Sequence, residues 1–100
     1  MKFSRNDVNE NESVLAIDGT LDAVTAPDLR TVIDGLVSEQ RKQVTLELSA
    51  LTLIDSSGVG VIVSLFKRMR AQGGDVRIVG LRDQPRAIFR LLRLDRVFPV

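Results

Sequence analysis

The sequence contains neither histidine nor cysteine. Without cysteine there can be no disulfide framework and no thiolate metal site. Without histidine, both the commonest metal ligand and the usual general base near neutral pH are missing, so a Ser-His-Asp triad cannot form within the chain. A serine–lysine pair would have to use Lys2, Lys42 or Lys67, and none of these lies in a recognisable motif beside a serine. We therefore expect no enzyme, no cofactor and no metal site.

Aromatic residues and long apolar runs are also scarce. There are four Phe and no Trp or Tyr, so the core must be built mostly from Val, Leu and Ile. No apolar run approaches the roughly 18 residues of a membrane span, and the first residues contain no apolar stretch of the kind found in signal peptides. We expect one domain over residues 1–100, in the cytoplasm and without a membrane partner.

Charge is unevenly distributed although the net charge is only +1. Residues 1–66 carry five basic and ten acidic side chains, whereas residues 67–100 carry nine basic and three acidic ones. Eight of those nine basic residues are Arg, and no Trp or Tyr lies among them for base stacking. We therefore expect no nucleic-acid partner and interpret the asymmetry as solvated helix faces that orient a charged protein partner.

Strand and helix patterns alternate along the chain, with turn residues about every dozen positions. Strands are predicted over residues 3–8, 13–18 (ended by Gly19), 43–48, 76–78 and 97–100. Helices are predicted from Thr25 (as the N-cap), over 57–72 (stopped by Gly73 and Gly74), and from Pro85, the last with Ile88, Leu91 and Leu92 buried. The order β-β-α-β-α-β-α-β indicates an α/β fold.

The helices are expected mainly on one face of the sheet. Residues 43–48 alternate cleanly between apolar and polar side chains, and residues 76–78 repeat the alternation. Strands covered on both faces usually read as continuous apolar runs, which these two do not.

Residues 51–60, LTLIDSSGVG, are the most informative segment. An apolar run ends in an acid, two hydroxyls and two glycines and then becomes helical, which predicts a strand-to-helix loop. Asp55, Ser56 or Ser57 could cap this helix by accepting from its free N–H groups. Sequence reasoning does not choose among the three.

Two interpretations of the serines remain open. A phosphoryl group on Ser56 or Ser57 would lie at a helix N-terminus, which offers free N–H groups and partial positive charge to an anion. It would add a charge of about −1.5 to −2 beside Asp55, which makes a switch that needs no refolding. The alternative is that both serines are only caps. A phosphate-binding loop is disfavoured because its G-x-x-x-x-G-K-[ST] motif is absent.

The helix that follows has a broad apolar face. At 100° per residue its apolar side chains cover an arc of roughly 200°, and a core-facing stripe needs only somewhat more than about 100°. Val61 and Leu65, at one edge of that arc, are candidates for partner contact. Gly58 and Gly60 lack side chains and would let another protein approach the helix start closely. A broad core stripe is the alternative.

Three motifs together resemble the bacterial anti-sigma factor antagonists of the STAS domain family. They are Gly19-Thr20-Leu21-Asp22 followed by Thr25-Ala26, then Asp55-Ser56-Ser57-Gly58-Val59-Gly60, and finally Gly73-Gly74 before a strand. The resemblance covers nearly the whole chain, and the second motif is its most specific part. It implies a STAS-like mixed sheet of about four to five strands. Many members have leucine where Val59 stands.

The resemblance implies a partner-switching mechanism. In its unphosphorylated form such a protein binds an anti-sigma factor that is also a serine kinase, and thereby releases the sigma factor. The kinase phosphorylates the first serine after the aspartate, here Ser56 rather than Ser57, the complex dissociates, and a serine phosphatase resets the cycle. The implied partner surface comprises Asp22, Asp55, Ser56, Ser57, Gly58, Val59 and Gly60. The alternative is a STAS interaction module with a different fixed partner, such as a signalling scaffold, a secretion regulator or a lipid-transport complex, and no phosphorylation cycle.

Overall fold

Strands and helices alternate along residues 2–98, the part of the chain that the computed structural model describes. The elements are β1 (Lys2–Asp7), β2 (Glu12–Leu21), α1 (Ala26–Ser38), β3 (Gln43–Glu47), β4 (Leu51–Ile54), α2 (Ser56–Ala71), β5 (Asp75–Val79) and α3 (Asp83–Leu91), followed by a 3-10 turn at Leu94–Arg96. The α/β class predicted from the sequence is confirmed.

The five strands of the described chain form one mixed sheet. β1 is the antiparallel neighbour of β2, while β3 runs parallel to β2 and β5 runs parallel to β3. β4 pairs in parallel with the last residues of β2, with Leu21 opposite Ile54. The mixed sheet implied by the resemblance is therefore observed.

The core lies between one face of the sheet and the helices. In β3 only Val44 and Leu46 are buried, and the other three residues are half-exposed, so helices cover mainly one face, as the alternation predicted. From the helix side, α1 buries Leu29, Ile33 and Leu36 at helical spacing. Over residues 2–98, no helix is both long and apolar enough to cross a membrane.

The strand predicted to end at Gly19 instead continues to Leu21. Gly19 adopts a φ of +99°, which glycine tolerates without steric cost, and the pairing with β4 shifts register between Gly19 and Thr20. The Gly19 N–H donates to the Ala50 carbonyl at 3.0 Å. The glycine is thus a bulge within β2 rather than its end, and the strand reaches the start of α2.

The predicted element order omitted β4. Its four residues are buried only at the two ends, Leu51 and Ile54, so the segment lacks the alternation by which a half-buried strand is recognised. Pairing with β2 defines this strand, and that pairing is a long-range contact.

The predicted burial of Leu91 and Leu92 in α3 is wrong. Leu91 is 77% exposed and Leu92 is also exposed, because the helix ends there. Phe89 is buried instead and packs with Phe98 at 6.0 Å between ring centroids, and Phe98 also contacts Phe66 at 4.7 Å. Phe89, rather than the two leucines, is the residue by which α3 packs against these aromatic rings.

The strand predicted over residues 97–100 is not present in the part that the structure describes. The N–H groups of Val97 and Phe98 instead donate to the Leu94 carbonyl at 3.0 and 2.9 Å, which closes the 3-10 turn. Residues 99 and 100 lie outside the described residues.

Candidate functional site

The carboxyl ends of β2 and β4 meet at one edge of the sheet, where α2 begins. Both strands run in the same direction, with Leu21 paired to Ile54, so the segments that follow them lie side by side. We call this region, residues 22–25 together with 54–60, the Ser56 end. It contains most of the residues that the sequence predicted for partner binding.

Asp55, rather than either serine, caps α2. Its backbone is extended, and one carboxylate oxygen, Oδ1, accepts from the N–H groups of Ser57 at 2.9 Å and Gly58 at 3.1 Å. Its own N–H donates to the Leu21 carbonyl at 3.1 Å. The choice that the sequence left open is therefore resolved in favour of the aspartate.

Ser56 is the first residue of α2 and is exposed, whereas Ser57 is half-buried. Neither hydroxyl forms a hydrogen bond to another residue within 2–98. The interpretation of the serines as helix caps is therefore not supported for their side chains. The Ser56 hydroxyl therefore lies at the start of α2 without a hydrogen-bond partner among the described residues.

Asp22 organises the turn between β2 and α1. Its carboxylate accepts from the backbone N–H groups of Val24 at 2.9 Å and Thr25 at 3.0 Å. These hydrogen bonds, with the Thr25 N–H contributing most, lower the pKa of Asp22. The predicted N-cap role of the Thr25 side chain is wrong, because its hydroxyl accepts from the Asp22 N–H and donates to the Thr20 carbonyl.

The same turn exposes an apolar side chain that sequence reasoning missed. Val24 is 84% exposed, because the Asx turn of Asp22 carries it away from the core. Beside it, an open groove of about 300 Å³ lies between the starts of α1 and α2. The groove is lined by Ala23, Ala26, Pro27, Arg30, Thr31, Asp34 and Ser57. No pattern in the sequence could have indicated the groove, since its walls come from separate elements.

The two glycines of the motif have different surroundings. A Cβ atom on Gly58 would lie 2.6 Å from Leu21 Cγ and 2.8 Å from Ile54 Cγ1, whereas one on Gly60 would meet no atom within 4 Å. Gly58 is buried and permits α2 to pack closely on β2 and β4, so its predicted contact with a partner is contradicted. Gly60 is exposed and remains open to an approaching protein.

The apolar face of α2 is core. Val61 and Leu65 are 1% and 0% exposed, and Val59 is also buried. The prediction that these three contact a partner is therefore wrong, and the alternative of a broad core stripe is correct. The stripe is broad because α2 packs against both the sheet and α1.

The carboxylates at the Ser56 end differ in their ion pairing from several acids elsewhere in the described residues. Within residues 2–98, ion pairs involve Asp7, Asp34, Glu39 and Asp75, and none involves Asp22 or Asp55. The same residues contain no cluster of three carboxylates placed to hold a metal ion. The exposed surface at this end offers backbone, small side chains and two carboxylates that form no ion pair within residues 2–98.

Comparison with known sequences finds a matching family and several relatives. The STAS domain family matches residues 5–100. The anti-sigma-B factor antagonist of Bacillus subtilis strain 168 is 30% identical over 92 residues, which cover 92% of this chain and 84% of that protein. That of Listeria monocytogenes is 25% identical over 84 residues, or 84% of this chain and 74% of that protein.

Solved structures lead to the same family. An anti-sigma factor antagonist from Mycobacterium paratuberculosis superposes with a TM-score of 0.87 at 26% identity, covering 98% of this chain and 82% of that one. The antagonist SpoIIAA in its unphosphorylated form gives 0.76 at 20% identity, over 96% of this chain and 97% of that one, a likeness of fold alone. The resemblance of the three motifs is thus confirmed, and the chain belongs to the STAS domain family.

Proposed function

We propose that this chain is an anti-sigma factor antagonist whose binding is switched off by phosphorylation of Ser56. In its unphosphorylated form it binds an anti-sigma factor that is itself a serine kinase, and so releases the sigma factor. The observation that carries the proposal is the exposed Ser56 hydroxyl at the start of α2, free because Asp55 provides the cap. The names of the relatives supply the class of partner.

Charge explains how one phosphoryl group would end the complex. The group would add about −1.5 to −2 charge beside Asp55, close to Asp22, and neither carboxylate is ion-paired to a described residue. A partner surface that fits a neutral serine would have to bury this charge without compensation, which is costly. The partial positive charge at the N-terminus of α2 would favour the same phosphate in the isolated protein.

The likeness to SpoIIAA supports a switch that preserves the fold. That protein has been solved in a phosphorylated as well as an unphosphorylated form. The two forms match this chain with TM-scores of 0.79 and 0.76. A STAS fold can therefore carry the modification and remain folded.

Exposure favours Ser56 over Ser57 as the modified residue. A kinase must bring the hydroxyl into line with the phosphoryl donor, and Ser56 is exposed while Ser57 is half-buried beside the groove. We expect the chain to act in the cytoplasm as a binding module without catalysis, while a separate phosphatase removes the phosphate.

Two variants at each serine test the proposal. The partner is first isolated by co-purification with tagged Ser56→Ala from native cells. We expect Ser56→Ala to bind it like the unmodified protein and Ser56→Asp to bind at least about tenfold more weakly, equivalent to about 1.4 kcal/mol. Ser57→Ala and Ser57→Asp are the matched controls and should change binding less.

The intact mass of the protein from native cells, with phosphatases inhibited, supplies the second measurement. A single phosphoryl group mapped to Ser56 is expected. Equal binding by Ser56→Ala and Ser56→Asp, together with an unmodified protein under growth and stress, would overturn the switch. That outcome would favour a STAS module with a different, fixed partner.

A further inference from the structure

The outer edge of β4 is completed by a side chain. β4 pairs with β2 along one edge, where the Asp55 N–H meets the Leu21 carbonyl. Because successive residues of a strand direct their backbone groups to opposite edges, the N–H and C=O of Ile54 point away from β2. Gln84 of α3 meets both: its Oε1 accepts from the Ile54 N–H at 2.9 Å, and its Nε2 donates to the Ile54 carbonyl at 2.9 Å.

This pair of hydrogen bonds replaces a missing neighbouring strand. One backbone residue of a paired strand would offer the same donor and acceptor to Ile54. The side-chain amide of Gln84 does so from a helix, and the contact is partly buried. The hydrogen bonds at Ile54 are therefore satisfied only while α3 keeps its position.

The contact lies two residues before Ser56. On one side of the segment the Ile54 backbone is held by Gln84, and on the other the Asp55 carboxylate holds the N–H of Ser57. The Asp55 N–H adds the bond to Leu21. The backbone is thus fixed on both sides of Ser56, while its hydroxyl remains free.

Asp83, the residue before Gln84, has an unusual backbone conformation. Asp83 has a φ of +53°, in the left-handed region that residues other than glycine rarely adopt. Behind it, Pro85 and Phe89 are buried and fix α3 against the core. The packing of α3 holds Gln84 against Ile54.

We propose that Gln84 is a positioning residue for the switch, which holds the backbone of residues 54–56 in the geometry that the partner kinase requires. The inference rests on the proposed function of Ser56. Phosphoryl transfer needs the acceptor hydroxyl in a defined place, and a segment ordered in advance avoids the entropy cost of ordering on binding. α3, which the sequence motifs do not include, thereby becomes part of the site.

Gln84→Met tests this role, with Gln72→Met as a matched control. Methionine keeps the length of the side chain and removes both hydrogen bonds. Gln72 also donates its amide to a backbone carbonyl, that of Val37 at 3.2 Å, near the far end of α2. Both variants therefore lose a side-chain-to-backbone bond, but only one loses it at the Ser56 end.

Two readouts separate positioning from general stability. The first is amide hydrogen exchange at Ile54 by NMR, corrected for global stability measured by urea unfolding. The second is the fraction of Ser56 phosphorylated in native cells at matched protein levels, measured by mass spectrometry. For Gln84→Met we expect exchange at Ile54 to rise about tenfold, as for a lost hydrogen bond, and Ser56 phosphorylation to fall several-fold. Gln72→Met should change neither.

Gln84→Glu should be intermediate, since a carboxylate still accepts from the Ile54 N–H but cannot donate to its carbonyl. Unchanged exchange at Ile54 in Gln84→Met would overturn the contact itself. Raised exchange with normal Ser56 phosphorylation would overturn the positioning role and leave the proposed function intact. If the unsubstituted protein carries no phosphate under any condition, the proposed function fails and the positioning role fails with it.

Discussion

The two ends of β2 hold their carboxylates in different ways. At the Ser13 end, Arg5 donates to both carboxylate oxygens of Glu39 at 2.8 Å and, through Nε, to Asp7 at 2.8 Å. Arg41 contacts the same two acids at 3.2 Å, and the Ser13 hydroxyl donates to Asp7. This cluster ties β1, β2 and the segment after α1 together.

At the Ser56 end the acids are held by backbone N–H groups instead. Asp22 accepts from the turn that follows it and Asp55 from the first turn of α2. Hydrogen bonds of this kind fix a carboxylate without cancelling its charge, whereas the guanidinium of Arg5 neutralises Asp7 and lowers its pKa. The acids at the Ser13 end are therefore ion-paired, whereas Asp22 and Asp55 beside Ser56 form no ion pair within residues 2–98.

The largest stability effect is expected for substitution of Gly58, and the second glycine of the motif, Gly60, serves as its control. Gly58→Ala should destabilise the protein by about 1–3 kcal/mol, because its Cβ would overlap Leu21 and Ile54. Gly60→Ala should stabilise it by about 0.5–1 kcal/mol, since the position is exposed and helical. Urea unfolding measures both. Equal stability of the two variants would show that the Ser56 end does not need the close packing at Gly58.

A smaller effect is expected at the cap itself. Asp55→Ala should cost about 0.5–2 kcal/mol, the usual range for removal of an N-cap. Asp55→Asn retains an acceptor oxygen without the charge and should cost much less. Thermal unfolding at pH 7 compares the two. If Asn were as damaging as Ala, charge rather than the hydrogen bonds would hold this end, and the contrast with the Ser13 end would be lost.

The smallest effect is expected for Arg5→Met, because the ion pairs at the Ser13 end are solvent-accessible. In the folded protein the pKa values of Asp7 and Glu39 are lowered, chiefly by hydrogen bonds from Arg5. Their contribution is therefore present above the unfolded pKa values of about 3.9 and 4.3 and is lost as the pH falls through the lower folded values.

The Tm difference between Arg5→Met and the unsubstituted protein should accordingly be greatest near neutral pH and shrink in acid. High salt should also reduce it, because exposed ion pairs are screened. Asp22 supplies the contrast, since backbone N–H groups lower its pKa. The decrease in Tm caused by Asp22→Ala should become smaller in acid but should change little with salt. A salt-sensitive loss in Asp22→Ala would contradict the distinction between the two ends.

Much of the fold could be predicted because it follows from local chemistry. The spacing of Leu29, Ile33 and Leu36 indicates a helix from neighbouring residues alone, and α2 ends before Gly73 and Gly74, as expected. The motif around Ser56 likewise combines a turn, a cap and a helix start within a few residues. Its position on the surface follows from its polar and small side chains.

The wrong predictions concern residues whose structure depends on contacts with residues distant in the sequence. β4 is a strand because β2 lies beside it, and α3 packs through Phe89 against Phe98 while Leu91 is exposed. Val61 is core because α2 packs against two elements at once. In each case the local sequence pattern is compatible with two structures, and the free energy of burying apolar area favours one of them.

The sequence by itself determined that the chain has strands and helices in alternation, that α2 starts at an acid and two serines, and that no histidine or cysteine chemistry is possible. Tertiary structure alone decided that Gly58 is a packing residue and that Gln84 completes the edge of β4. The physical reason is distance along the chain. Gln84 and Ile54 are 30 residues apart, and only the packing of α3 brings a side-chain amide to the outer edge of β4.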